Sequence, residues 1–231
     1  SLLFSKRKGR NRVSYFRDLT EIDLKEGDLE RLNNRLEGVC FQTIRALAEA
    51  VDIRDNYTAA DAALVNEVAN RLAERMGMDQ ERANALTLAA RLHDIGKIGV
   101  PDNVLGKTGT LSPEEVSTVR QHPEMGKRIV EEAEQLQELV AAILYHHARW
   151  DGKGYPEGLE GEQIPLMARV IGIIDAYRAM ATDRPYRKAM NTQQIIGELR
   201  QSAGSQFDPA LVEMFIAILE ENRLGNIREV S

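Results

Sequence analysis

Between about residues 54 and 225 the apolar positions recur at spacings of three and four, and no stretch alternates convincingly between apolar and polar. That period predicts helices throughout. Thr58 to Met76 places Val65, Val68, Leu72 and Met76 on one face, with Gly77 as a terminator. Asp79 is set to cap a helix running through Leu86 and Ala89 to His93. Ser112, Pro113 and Glu115 make a start signal: capping serine, first-turn proline and a glutamate at the capping-box position. Leu136, Val140 and Ile143 line a helix ending at the doublet His146-His147. Pro165 opens a strongly apolar helix through Val170, Ile171 and Ile174 to Asp175, and Asp208-Pro209 begins the last. Upstream, over residues 19–53, Leu29, Leu32, Leu36, Val39, Thr43 and Ala46 form a heptad seam. Two copies of the chain would bury that seam as a homodimer; a single helix lying on its own domain would bury it too.

Polar residues on these apolar faces carry the candidate chemistry. His93 follows Ala89 by four and Leu86 by seven, so it faces the same interior, and His147 follows Ile143 and Val140 in the same way. Asp175 sits directly after Ile174 in the most apolar helix. A carboxylate buried there alone costs several kcal/mol or a shifted pKa, roughly speaking, and shared coordination of a metal by Asp94 and Asp175 removes the cost. All four histidines, His93, His122, His146 and His147, fall within this part of the chain. Imidazole with carboxylate suits iron, manganese, nickel or zinc, and paired metals suit the hydrolysis of phosphate esters. Taken singly, each of these residues reads as a helix cap or a satisfied core group; together, on three separate helices, they predict a metal cage.

Composition narrows the classes. The chain has 231 residues, 43% apolar and 29% charged, enough for one sizeable domain and an appendage. Its net charge of −6 argues against a general DNA or RNA binder, while metals and local arginines leave room for a small anionic ligand. A single cysteine, Cys40, excludes an internal disulfide and fits a reducing, cytoplasmic compartment. No apolar run reaches a membrane span. The basic stretch within residues 1–12 reads as a solvated tail or as the cytosolic flank of a membrane anchor or larger receptor; a start at serine suggests a fragment. The expected map is a basic tail (1–18), an amphipathic linker helix (19–53), an all-α domain (54–225) and a short tail (226–231).

His93-Asp94-Ile-Gly-Lys97, the isolated His122-Pro123 and His146-His147-Ala-Arg-Trp-Asp-Gly-Lys-Gly-Tyr155-Pro resemble the HD-GYP branch of the HD-domain metal-dependent phosphohydrolases. The resemblance covers roughly residues 54–210. It implies an all-helical bundle that hydrolyses the second messenger cyclic di-GMP to pGpG or GMP, using two divalent metals, iron or manganese foremost. It further implies one metal held by residue 61, His93, Asp94 and Asp175, and another by Asp94, His122, His146 and His147. A hydroxide shared between them would attack phosphorus, with Lys97 neutralising phosphoryl charge. Tyr155 would contact the nucleotide, and Arg184 and Arg187 would clamp its phosphates. The Gly-Tyr-Pro loop would also be where a diguanylate cyclase (GGDEF) domain docks. Bland readings stand beside these: Lys97 neutralising a helix end, the loop as a tight turn, the arginines as a solvated run.

The chain departs from the family pattern at several positions. Asp61 stands where the family's first helix carries a ligating histidine; Ala148, Arg178 and Gln206 replace an expected glutamate, acidic residue and histidine; and Tyr57 stands where members with a third metal carry glutamate. The losses gather around the first metal. Three outcomes follow from that: a two-metal hydrolase completed by Asp61 with reduced rate, a cyclic di-GMP-binding module without turnover, or an output domain acting through protein contacts.

Overall fold

The computed structural model describes residues 42–221, apart from 45, 52, 55–57 and 184–187. Residues 1–44 and 45–231 separate into two units, and the architecture below is that of the second. Among the described residues the structure is helical, with one isolated bridge between Ala203 and Phe207. The helices are α1 (Ala59–Arg75), α2 (Gln80–Leu92), α3 (Asp102–Leu105), α4 (Pro113–Val119), α5 (His122–Val130), α6 (Gln137–Tyr145), α7 (Leu166–Ala181), α8 (Thr192–Ser202) and α9 (Pro209–Glu220). A 3-10 turn, Ile95–Gly99, follows α2.

Local signals set the boundaries. Thr58 and Ser112 cap α1 and α4 through full capping boxes, while Asp79 and Asp208 cap α2 and α9 with single side-chain bonds. Asn191 makes a capping box for α8, a helix the hydrophobic period had not singled out. On α6 the buried face is Leu139, Ala142 and Ile143 rather than Val140, which is half-buried. Helix α7 runs past Asp175 to Ala181, so that residue lies within the helix and not at its end.

The core forms where α1, α2, α6 and α7 meet, and Val68, Leu72, Leu86, Ala89, Ile143, Ile171 and Ile173 are fully buried in it. Helices α8 and α9 pair on one side, with Phe215 against the edge of the Tyr177 ring at 5.1 Å. Burial of these apolar stripes, rather than helix propensity, holds such short helices together.

The seam residues Leu29 to Val39 lie outside the described residues, as does the basic tail, while Thr43 and Ala46 are exposed. Ala48 and Val51 are buried. No helix among the described residues is long and apolar enough to cross a membrane.

Candidate metal centre

Three helix ends deliver the imidazoles. His93 is the C-cap of α2, His146 the C-cap of α6, and His122 opens α5. In each the ring Nδ1 lies 2.7 Å from the carbonyl three residues earlier: Ala90 for His93, Ile143 for His146 and Val119 for His122. A carbonyl only accepts, so Nδ1 carries the proton and donates, and Nε2 is the atom turned to the centre. The shared i−3 bond is a device of the local backbone: the last turn of a helix offers the carbonyl, and histidine uses it to fix its ring.

The adjacent pair His146-His147 reaches one centre because the helix stops at Tyr145. On a continued helix the two would diverge by about 100°. The chain instead turns, with Ala148 N–H donating to Tyr145 O at 2.8 Å. The imidazoles then lie 4.1 Å apart, His146 buried and His147 half-buried.

Asp94 joins two groups of donors. Its Oδ1 lies 3.2 Å from His122 Nε2 and 4.0 Å from His146 Nε2. Its Oδ2 lies 3.3 Å from His93 Nε2 and accepts a hydrogen bond from Lys97 Nζ at 2.8 Å. Asp94, His122, His146 and His147 offer donor atoms all within 4.8 Å of one another, and so do His93, Asp94 and Asp175. The described residues therefore hold a histidine–aspartate cluster able to bind a divalent metal. The Nε2 atoms of His122 and His146 are 3.2 Å apart. That fits two nitrogens bound about 2.0–2.1 Å from one ion, which would stand about 2.8–3.4 Å apart across octahedral and tetrahedral geometries.

Two glycines let the parts approach. A Cβ on Gly96 would collide with the backbone of His122 and Gly126, so the turn after Asp94 lies directly on α5. A Cβ on Gly154 would collide with the backbone of residues 147–149, which brings the next residue, Tyr155, back over the doublet. The Tyr155 ring stacks on His147, and the Arg120 guanidinium lies 5.2 Å from the Tyr155 centroid.

Charges in the cluster respond to one another. Burial pulls His93 down, but Asp94 and Asp175 outweigh it and raise the ring to about 10. Burial pushes Asp94 up, yet Lys97 and His93 hold it well below the usual carboxylate range. Asp175 is held low against burial by His93 and Arg178. His146 is driven well below the ordinary imidazole range by burial and by His147, and His147 falls to about 4 through burial and His122. Neutral imidazoles at His146 and His147 are the form that ligates a metal. Burial raises the Tyr155 phenol to about 12.

Asp61 is buried but belongs to neither donor group. Its Oδ2 accepts from Thr58 N at 2.8 Å and Thr58 Oγ at 2.7 Å as part of the α1 capping box, while Oδ1 makes no hydrogen bond. Arg184 and Arg187 lie outside the described residues. Two cations near the centre are not among the expected site residues, although Arg178 is a departure from the family pattern. Arg178 is buried and donates to Asp175 Oδ1 at 2.7 Å, with Asp94 Oδ2 at 3.8 Å; an arginine three residues after Asp175 on the most apolar helix was the available signal. Arg120 carried none, since an exposed arginine before His122 looks like any surface cation.

The profile of the HD domain family matches residues 44–211. The cyclic di-GMP phosphodiesterase response regulator of Xanthomonas campestris is 37% identical over 185 residues, 79% of this chain and 49% of the relative. A cyclic di-GMP phosphodiesterase of Thermotoga maritima is 35% identical over 221 residues, 92% of this chain and 60% of the relative. This chain thus spans about half to three-fifths of the length of these curated relatives. A cyclic GMP-AMP specific phosphodiesterase of Vibrio cholerae superposes with a TM-score of 0.60 at 16% identity, over 79% of this chain and 49% of that one, a likeness of fold.

Proposed function

The chain belongs to the HD domain family and carries HD-GYP motifs, and from that premise we propose that it is a metal-dependent phosphodiesterase acting on cyclic di-GMP. The observation that carries the reading is the convergence of His122, His146, His147 and Asp94 beneath the Tyr155 ring. Curated relatives named as cyclic di-GMP phosphodiesterases support the substrate class.

The four-donor group fits a resident divalent cation of the iron or manganese kind, with zinc or nickel compatible with the same donors. Such an ion supplies Lewis acidity toward a phosphoryl oxygen and acidifies water. The remaining work falls to the chain. Asp94 orients two donor groups at once. Lys97, anchored 2.8 Å from Asp94, places a positive charge beside the position where phosphoryl charge develops. Tyr155 covers His147 and offers its phenol, kept protonated by burial, to a guanine or ribose as a hydrogen-bond donor. Arg184 and Arg187 are assigned the second phosphate, which suits a forked guanidinium. A GGDEF domain is assigned to the Gly-Tyr-Pro loop, where Lys153, Glu157 and Gly158 are exposed, and pairing of two chains to the seam at residues 19–53.

The test is turnover by the purified chain loaded with Mn2+ or Fe2+, with cyclic di-GMP and 3'3'-cGAMP offered separately and products separated by chromatography. Release of pGpG or GMP from cyclic di-GMP is expected. Tight binding without product would instead assign the chain to nucleotide sensing, and faster turnover of 3'3'-cGAMP would move the substrate.

A further inference from the structure

The two donor groups sharing Asp94 are unequal, and the inequality has a physical cause. The first contains His93, Asp94 Oδ2 and Asp175 Oδ1, and a cation of the protein's own already lies on both of those oxygens. Arg178 Nη2 donates to Asp175 Oδ1 at 2.7 Å and lies 3.8 Å from Asp94 Oδ2. Lys97 Nζ takes Asp94 Oδ2 from another side at 2.8 Å. The geometry points to a one-ion centre: the Arg178 guanidinium stands in for the first metal, and the chain holds a single divalent cation at Asp94, His122, His146 and His147. This inference rests on the metal-centre reading above and specifies its stoichiometry.

Charge and distance argue together. The carboxylates of Asp94 and Asp175 already face the cations of Lys97 and Arg178, so that half of the centre holds positive charge of its own without an ion. An ion bound about 2.1 Å from Asp175 Oδ1 would lie no more than about 5 Å from Arg178 Nη2, given the 2.7 Å bond. Two like charges would then face each other in a poorly solvated site. The Arg178 side chain is 9% exposed, so an incoming ion would have to displace a buried, paired cation, which is costly unless the pairing is replaced.

Asp61 does not complete that group. Its Oδ2 is held by Thr58 N and Oγ in the α1 capping box, and although Oδ1 makes no hydrogen bond, Asp61 lies outside the first group. The second group has three imidazoles and the remaining Asp94 oxygen, with no arginine or lysine ion-paired to Oδ1 among the described residues. Arg178 is in these terms a positioning residue. It keeps Asp175 and Asp94 aligned and leaves Oδ1 to the single ion.

The full chain, stripped by chelation and reloaded with Mn2+, is analysed for bound manganese by mass spectrometry and by electron paramagnetic resonance. One ion per chain with the six-line signal of an isolated Mn2+ is expected. Arg178→Asp combined with Asp61→His should take up a second ion and show an exchange-coupled signal. Arg178→Gln, close in size and neutral, gives a second route if the double variant does not fold, and should tighten a second ion by at least about tenfold. Two coupled ions in the unmodified chain overturn the inference while leaving cyclic di-GMP hydrolysis standing. One ion in a well-folded Arg178→Gln and in the double variant also overturns it. No ion in the unmodified chain overturns both this stoichiometry and the metal-centre reading.

Discussion

The ring of Tyr155 lies stacked on the imidazole of His147, centroids 4.8 Å apart and planes 28° from parallel. One residue of the Gly-Tyr-Pro loop thus packs against one donor of the four-donor group. Groups that hold a ligand's ring in place typically alter metal affinity by about 10–100-fold when removed. Tyr155→Ala should therefore weaken Mn2+ binding by about tenfold as well as raising KM. Tyr155→Phe, which keeps the stack and loses the phenol, should raise KM alone. Calorimetric titration with Mn2+ beside steady-state kinetics separates the two; equal metal affinity in all three proteins would remove the link.

Gly96 has no room for a methyl group against the His122 and Gly126 backbone. Gly96→Ala must push the Asp94 turn off α5, and overpacking at a backbone contact costs about 3 kcal/mol or more. Urea unfolding should show that loss at unchanged m-value, together with weaker metal binding. Gly197, whose Cβ would meet nothing within 4 Å, is the control, and Gly197→Ala should be neutral or stabilising by about 0.5–1 kcal/mol.

His122→Ala removes a donor that contacts Asp94 at 3.2 Å and His146 at 3.2 Å. Metal affinity should fall by about 100-fold or more, beyond what loss of a supporting group causes. Helical content by circular dichroism should persist, since the core of α1, α2, α6 and α7 does not depend on that ring. Retained tight binding would displace the ion from this group.

Arg54 ties the chain before α1 to the turn after Asp94. Its guanidinium donates to the carbonyls of Lys97, Ile98 and Val100 and pairs with Asp102. Arg54→Met keeps the aliphatic stem and removes these bonds. A loss of about 1–2 kcal/mol is expected, because the bonds are to a charged donor but partly exposed. Hydrogen exchange should rise at Lys97–Val100 first; uniform exchange would assign Arg54 no local role.

The metal-free chain should show two opposed pH windows. His93 is raised to about 10 in the fold, so its contribution is fully present below the ordinary imidazole value of about 6.5 and is lost as pH rises toward 10. His147 is lowered to about 4; the unfolded chain then binds more protons between about 6.5 and 4, and stability falls as pH drops through that range. Tm measured with chelator should pass through a maximum near neutrality. His93→Gln should flatten the alkaline limb alone.

Much of this protein was legible from local pattern. Spacings of three and four, with caps at Thr58, Asp79, Ser112 and Asp208, determine helices and where they start, because those forces act within a few residues along the chain. The ligand-type residues could likewise be picked out by their places on apolar faces and by their motifs. Their arrangement could not. That His146 and His147 reach one centre depends on where α6 stops, and that Asp94 faces two groups depends on Gly96 lying against α5. Arg178 marks the boundary most clearly: as a letter it is a departure from an expected acid, and only packing turns it onto Asp175 and Asp94. Contacts between residues distant in the chain are set by which faces the core buries, and no window of neighbouring residues contains that information.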